Sequence, residues 1–239
     1  MNDLLLLHGA IGAKSQFTEI AGDLEKNFRI HSLNFTGHGG KDFSESFSIE
    51  MFADDVLLYL SANGLESIDV FGYSMGGYVA VYLARFHPEK IGKVFTFATK
   101  FSWTPEIAQK EIRFLDSEKI ELKLPAFALE LKHRHIPSDW KKVLSETRSM
   151  MINLGNSNPL KDDDYKNINH KILIGIGDKD TMVTLEETIS VYRQLPNAAF
   201  LVLPNTLHPL EKINVEQLVY HIRLFLMPQS EATDSLELM

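Results

Sequence analysis

Ile68-Asp69-Val70-Phe71-Gly72-Tyr73-Ser74-Met75-Gly76-Gly77 joins two periodicities. Its first four residues form a short apolar run of the kind a buried strand needs. From Tyr78-Val79-Ala80-Val81-Tyr82-Leu83-Ala84 onward the pattern is that of a packed helix. Between the two lies G-x-S-x-G. A serine on a sharp strand-to-helix turn has its hydroxyl pushed beyond the sheet edge, where a base can reach it. The flanking glycines let the backbone turn and let the helix approach the strand. Ser74 is therefore a candidate nucleophile. Met75, the first residue of the helix, is expected to offer an unsatisfied N–H at the positive end of the helix dipole.

Outward from this stretch, strand-like runs occur at 4–7, 29–34, 68–71, 93–98, 171–177 and 199–203. Most are continuously apolar, as strands buried on both faces of a parallel sheet are. Helical patterns separate them, at 15–27, 49–63 (with Ser48 as N-cap and Gly64 at C′), 75–87, 185–195 and 210–226. Alternating strand and helix predict an α/β fold, a mostly parallel sheet of about six strands with helices on both faces. The alternation breaks once. No strand is evident between Ala98 and Asn169, where Thr104-Pro105-Glu106 opens a helix to about Leu115. Further helices are expected at 117–124, 125–131 and 138–154, the last meeting Gly155. Residues 100–169 thus read as a helical lid inserted into a core of 1–99 and 170–228, with 156–169 as the return connection. Residues 229–239 read as a flexible acidic tail.

The chain has 239 residues, 44% of them hydrophobic, enough for a sizeable core. A net charge of -8 and no basic stripe with interleaved aromatics argue against nucleic acid and anionic membranes as partners. With no cysteine, disulfides, thiolate catalysis and cysteine-based zinc sites are excluded. The apolar start lacks a basic leader region, and no stretch approaches membrane-spanning length, so a cytoplasmic protein is expected. No spacing of His, Asp and Glu demands a metal, and no cofactor motif is present.

A serine hydroxyl needs a base, and the base needs a carboxylate to hold its tautomer. In a parallel sheet both belong just after strands, at the carboxyl edge. Asp178 and Asp180 follow the run at 171–177, and His208 follows the run at 199–203.

Five motifs in order carry a resemblance. They are His8-Gly9, Gly37-His38-Gly39, the elbow at 72–77, Gly177-Asp178-Lys179-Asp180-Thr181-Met182-Val183 and Leu207-His208-Pro209-Leu210-Glu211. The chain resembles the α/β-hydrolase superfamily over most of its length, and the order Ser, Asp, His is similar to that family's. The resemblance implies a catalytic triad of Ser74, Asp180 and His208, with Asp178 left to cap its turn. It implies an oxyanion hole of two backbone N–H groups, from Met75 and from Ala10, with Ile11 as the alternative to Ala10. It also implies that the family's first two strands are missing here, leaving a sheet edge at 4–7 or its neighbour open to pairing in a homodimer.

The implied function is a serine hydrolase cleaving a small-molecule carboxylic ester or thioester through an acyl-enzyme on Ser74. Ile11, Tyr73, Trp103, Phe127, Trp140 and Met151 are the candidate pocket residues. One alternative is a lyase or C–C bond hydrolase using the same triad, since the elbow also looks like that of a menaquinone-pathway lyase. That enzyme has an Arg where Tyr78 stands, and a cation from Lys100, Arg113, Arg134 or Arg148 would have to replace it. A second alternative is a non-catalytic ligand-binding protein on a hydrolase scaffold. Among the remaining histidines, His133 and His135 lie in a basic run with Lys132 and Arg134. That run reads as a solvated face or a contact for an anionic substrate group. His31, His170 and His221 are expected to lack convergent carboxylates.

Overall fold

The computed structural model describes residues 1–44 and 46–227. The chain runs β1 (Asn2–Leu7), α1 (Thr18–Leu24), β2 (Phe28–Ser32), α2 (Ile49–Ala62), β3 (Ile68–Tyr73), α3 (Met75–Phe86) and β4 (Ile91–Phe97). Helices α4 (Pro105–Glu111), α5 (Ser117–Lys123), α6 (Pro125–His135), α7 (Trp140–Asn156) and α8 (Asp162–Tyr165) follow. Then come β5 (Ile172–Gly177), α9 (Leu185–Tyr192), β6 (Ala198–Leu203) and α10 (Val215–Leu226). The six strands form one sheet in the order β2-β1-β3-β4-β5-β6, and all neighbours are parallel. Its free edges are β2 and β6, so β1 is covered on both sides.

The leucine run of β1 shows why the strands read as unbroken apolar stretches. Leu5 and Leu7 enter the core shared with α2, α3 and α9, beside Phe52, Val56, Val81 and Val191. Leu4 and Leu6 enter the core on the other face, with Ile20 and Leu24 of α1 and Leu218 and Ile222 of α10. Each face of the strand meets its own helices, so both sets of alternating side chains are buried.

Helices α4 to α7 hold a third cluster, built on Ile112, Leu131, Trp140, Leu144 and Met151. Ala10, Ile11, Trp103 and Phe127 pack against it. This helical segment therefore rests on the loop after β1.

Four local readings are corrected. Helix α7 runs through Gly155 to Asn156 instead of stopping there. A Cβ at Gly155 would lie 2.8 Å from the Ala108 Cβ and from the Thr104 carbonyl oxygen, so this glycine serves a close crossing of α4 and α7. Helix α6 continues to His135, four residues beyond the expected end at Leu131. The expected helix 210–226 is split into a single tight turn at Leu210–Lys212 and α10, whose N-cap Asn214 accepts a hydrogen bond from the Gln217 N–H at 2.9 Å. His31 does have a carboxylate. Its Nε2 lies 2.8 Å from Oδ1 of Asp3, because β1 and β2 pair side by side. The tail at 229–239 lies outside the described residues.

Candidate active site

Ser74 stands between β3 and α3 with φ 51° and ψ −118°. That backbone strains an L-residue, and the packing around it holds it there. Its N–H donates to the Phe97 carbonyl at 2.8 Å, and its own carbonyl accepts from Thr99 Oγ1 at 3.0 Å. The glycines of the elbow are required by contact. A Cβ at Gly76 would lie 2.2 Å from the Leu7 carbonyl oxygen, and one at Gly77 would lie 2.1 Å from Thr99 Oγ1. Helix α3 can approach β1 and β4 this closely only without those side chains.

His208 follows β6 and presents Nε2 to Ser74 Oγ at 3.4 Å. This contact is longer than an ordinary hydrogen bond from a hydroxyl. Its other nitrogen, Nδ1, lies 2.7 Å from Asp180 Oδ2. The second oxygen of Asp180 accepts N–H groups of Met182 and Val183 at 2.8 and 2.9 Å. The Asp180 side chain is 1% exposed and that of His208 11%. The backbone of the histidine loop is tied down as well, since Tyr73 donates its hydroxyl to the His208 carbonyl at 2.8 Å. Burial raises the Tyr73 pKa, so that hydroxyl keeps its proton. Asp178 turns elsewhere and accepts from the Thr206 N–H at 3.2 Å. The three elements meet because β3, β5 and β6 end at the same sheet edge.

The loop after β1 lies against the elbow. A Cβ at Gly9 would be 3.1 Å from the Ser74 Cβ. His8 is buried and shapes this loop. Its Nδ1 donates to the Gly9 carbonyl at 2.8 Å while Nε2 accepts from the Phe35 N–H at 3.2 Å. Burial pushes the His8 pKa down to about 3, so the ring is neutral and can serve both partners.

A cavity opens at Ser74, lined by Ala10, Met75, His208 and an apolar wall that includes Tyr78, Trp103, Met150 and Met151. Of the expected pocket residues, Trp103 and Met151 line it. Ile11, Phe127 and Trp140 pack into the helical cluster, and Tyr73 holds the histidine loop. Lys100 and Glu111 also line the cavity. Lys100 Nζ lies 3.3 Å from Glu187 and 3.7 Å from Glu111, so this ammonium is neutralised where it stands. Arg148 donates to the Ile112 carbonyl, and Arg134 is held by the Ile11 carbonyl and Glu211. Sequence reasoning passed over Thr99, Glu111 and Glu187, since each acquires its role from a partner distant along the chain. Among the described residues, no group of three or more His, Cys, Asp or Glu could hold a metal ion, and no helix is long and apolar enough to cross a membrane.

A parallel sheet with helices on both faces, a strained serine elbow and a histidine and aspartate from later strands define the class: the chain has the α/β-hydrolase fold. A family model described as the alpha/beta hydrolase fold matches residues 3–119. A pimeloyl-[acyl-carrier protein] methyl ester esterase of Neisseria meningitidis is 33% identical over 86 residues, which are 36% of this chain and 32% of that relative. The match thus spans about a third of the relative's length. Among solved structures, a serine hydrolase of Cycloclasticus zankles superposes with a TM-score of 0.78 at 20% identity, covering 94% of this chain and 89% of that one. The enol-lactonase of Burkholderia xenovorans superposes with a TM-score of 0.76 at 19% identity, covering 94% and 91%. These two likenesses are likenesses of fold.

Proposed function

We propose that this protein is a serine hydrolase that cleaves a carboxylic ester or thioester of a small molecule through an acyl-enzyme on Ser74. The observation that carries the reading is the unbroken chain from Ser74 Oγ through both ring nitrogens of His208 to Asp180. Ser74 attacks the acyl carbonyl as His208 Nε2 takes its proton. Asp180 holds the Nδ1–H tautomer and stabilises the imidazolium. The N–H groups of Met75 and Ala10 receive the oxyanion. His208 then protonates the leaving group and activates the water that frees the acid. Residues 1–99 and 170–228 act as the core, and 100–169 act as a lid whose Trp103 and Met151 help to line an apolar acyl pocket. Support also comes from the matching segment of an esterase in Neisseria.

A lyase built on this triad needs a cation facing Ser74. Lys100 is occupied by two glutamates, and Tyr78 stands beyond the elbow. The ester reading needs no such cation. The test is a panel of p-nitrophenyl esters of increasing acyl length, run beside a fluorophosphonate probe. Turnover together with labelling, both abolished in Ser74→Ala, is the expected result. A folded protein that neither turns over an ester nor labels at Ser74 would sink the reading and favour a ligand-binding role.

A further inference from the structure

The basic run at the end of α6 is divided: Lys132 and His133 are exposed, while Arg134 and His135 turn inward. His135 is fully buried, and both of its ring nitrogens are engaged across the chain. The Gly39 N–H donates to Nδ1 at 3.0 Å, and Nε2 donates to the Ile11 carbonyl at 3.0 Å. An amide N–H can only donate and a carbonyl can only accept, so the tautomer is settled by its partners. Arg134 donates to the same Ile11 carbonyl at 3.2 Å, and its other amino group reaches Glu211 at 3.1 Å. One carbonyl in the loop after β1 therefore receives two donors from the last turn of α6.

That carbonyl belongs to a residue that does not hold its own conformation easily. Ile11 has φ 53°, a left-handed backbone that β-branched residues avoid. The residue before it is Ala10, which lines the cavity beside Ser74. Below, the loop is held by His8 through the Gly9 carbonyl. The peptide after Ile11 is held on both sides: within the loop the Gly12 N–H donates to the Gly9 carbonyl at 3.1 Å, and from α6 Arg134 and His135 donate to the Ile11 carbonyl.

We propose that His135, assisted by Arg134, is a positioning residue for the oxyanion loop. By capturing the Ile11 carbonyl it holds the strained turn that aims the Ala10 N–H at the acyl oxygen. Seating of α6 on the loop and completion of the oxyanion hole are then one event, and the helical segment takes part in transition-state stabilisation as well as covering the pocket. This rests on the Ser74 hydrolase reading above.

The test compares wild type, Ser74→Ala, His135→Ala and His135→Gln on p-nitrophenyl butyrate, with butylboronic acid as a tetrahedral analogue and butanol as a ground-state ligand. Misplacing a catalytic donor by about an ångström costs on the order of 100-fold, so His135→Ala should lose roughly 10- to 100-fold in kcat. Its KM and butanol inhibition should stay near wild type, while boronic acid affinity falls in step with kcat. His135→Gln keeps a donor of similar reach and should recover most of the loss. An unchanged kcat in folded His135→Ala overturns the proposal. So does a loss shared equally by KM, butanol binding and kcat that glutamine does not rescue, since that marks a role in folding alone. Should His135→Ala fail to fold, Arg134→Met is read on the same scale, and an unchanged kcat there overturns the proposal. Wild type that neither turns over the ester nor labels at Ser74 would instead remove the hydrolase reading, and this inference with it.

Discussion

Asp180 Oδ2 lies 2.7 Å from His208 Nδ1, while the neighbouring Asp178 accepts from the backbone of Thr206 and pairs with Lys179 at 3.6 Å. Two carboxylates that are two residues apart thus have separate tasks. Asp178 joins the loop after β5 to the loop after β6. Asp180 is buried against the histidine with its second oxygen filled by two N–H groups.

Asp180→Asn should therefore cost far more than Asp178→Asn. An amide at 180 can donate to His208 and stabilise the wrong tautomer, which in such triads lowers kcat by about 10⁴. Asp178→Asn keeps an acceptor for the Thr206 N–H and should stay within about threefold of wild type, in line with the small cost of a retained neutral hydrogen bond. Steady-state kinetics on one ester decide this. Equal losses in both variants would dissolve the distinction.

Gly76→Ala tests the packing at the elbow. The added methyl would meet the Leu7 carbonyl oxygen at 2.2 Å and its carbon at 2.6 Å, and a central strand backbone cannot yield. Overpacking of this kind costs about 1–3 kcal/mol and more where backbone is the obstacle. Urea unfolding should show a loss at or above the top of that range. A wild-type midpoint would mean that α3 can slide away from β1.

The cavity wall should reject anionic acyl chains. Lys100 is shared between Glu111 and Glu187, so the cluster carries more negative than positive charge, and Glu111 has a buried oxygen without a partner. Like charges brought together in a desolvated site cost several kcal/mol. Esters ending in a carboxylate should show kcat/KM at least about 10-fold below methyl-ended esters of equal length, with hydroxyl-ended chains tolerated. Faster turnover of the carboxylate series would show that Lys100 is free to bind it.

Stability should fall on mild acidification. Burial pushes His135 from the ordinary 6.5 down to about 4, His8 down to about 3, and His38 well below its usual range. The unfolded chain then binds protons that the folded chain refuses. The stabilisation is complete above pH 6.5 and is lost as pH falls from there toward about 4. Each such histidine contributes a slope of ~1.4 kcal/mol per pH unit within that window. Urea midpoints measured from pH 7.5 to pH 5 should decline, and the decline should be shallower in His135→Gln. A flat profile would mean that these rings are protonated in the folded protein.

Much of the architecture was legible in the chain because it depends on local pattern. Apolar runs set the six strands, and Ser48 caps α2 through the Met51 N–H at 3.1 Å as its position suggested. Ser74, His208 and the pair Asp178 and Asp180 could be singled out because a parallel sheet brings the ends of its strands to one edge, and the resemblance to the α/β-hydrolases favoured Asp180 of the two. Other residues misled for a physical reason. Gly155 looked like a helix stop, yet its lack of a side chain serves the crossing with α4. Lys132-His133-Arg134-His135 looked like a solvated run, yet two of the four are engaged by the Ile11 carbonyl. Trp140 and Phe127 looked like pocket residues, yet they fill the helical cluster, since an aromatic side chain carries no local sign of which surface will bury it.

By itself, the sequence determined that a serine would stand on a strand-to-helix turn within an α/β sheet, because hydrophobic periodicity and glycine placement act over a few residues. The tertiary structure decided which groups that serine and its neighbours meet. It chose Asp180 over Asp178 at His208, closed Lys100 between two glutamates, and set His135 against Gly39 and Ile11, 96 and 124 residues away in the chain. Hydrogen bonds and charge pairs act over a few ångströms, and only the packing of α6 onto the loop after β1 brings those groups within reach.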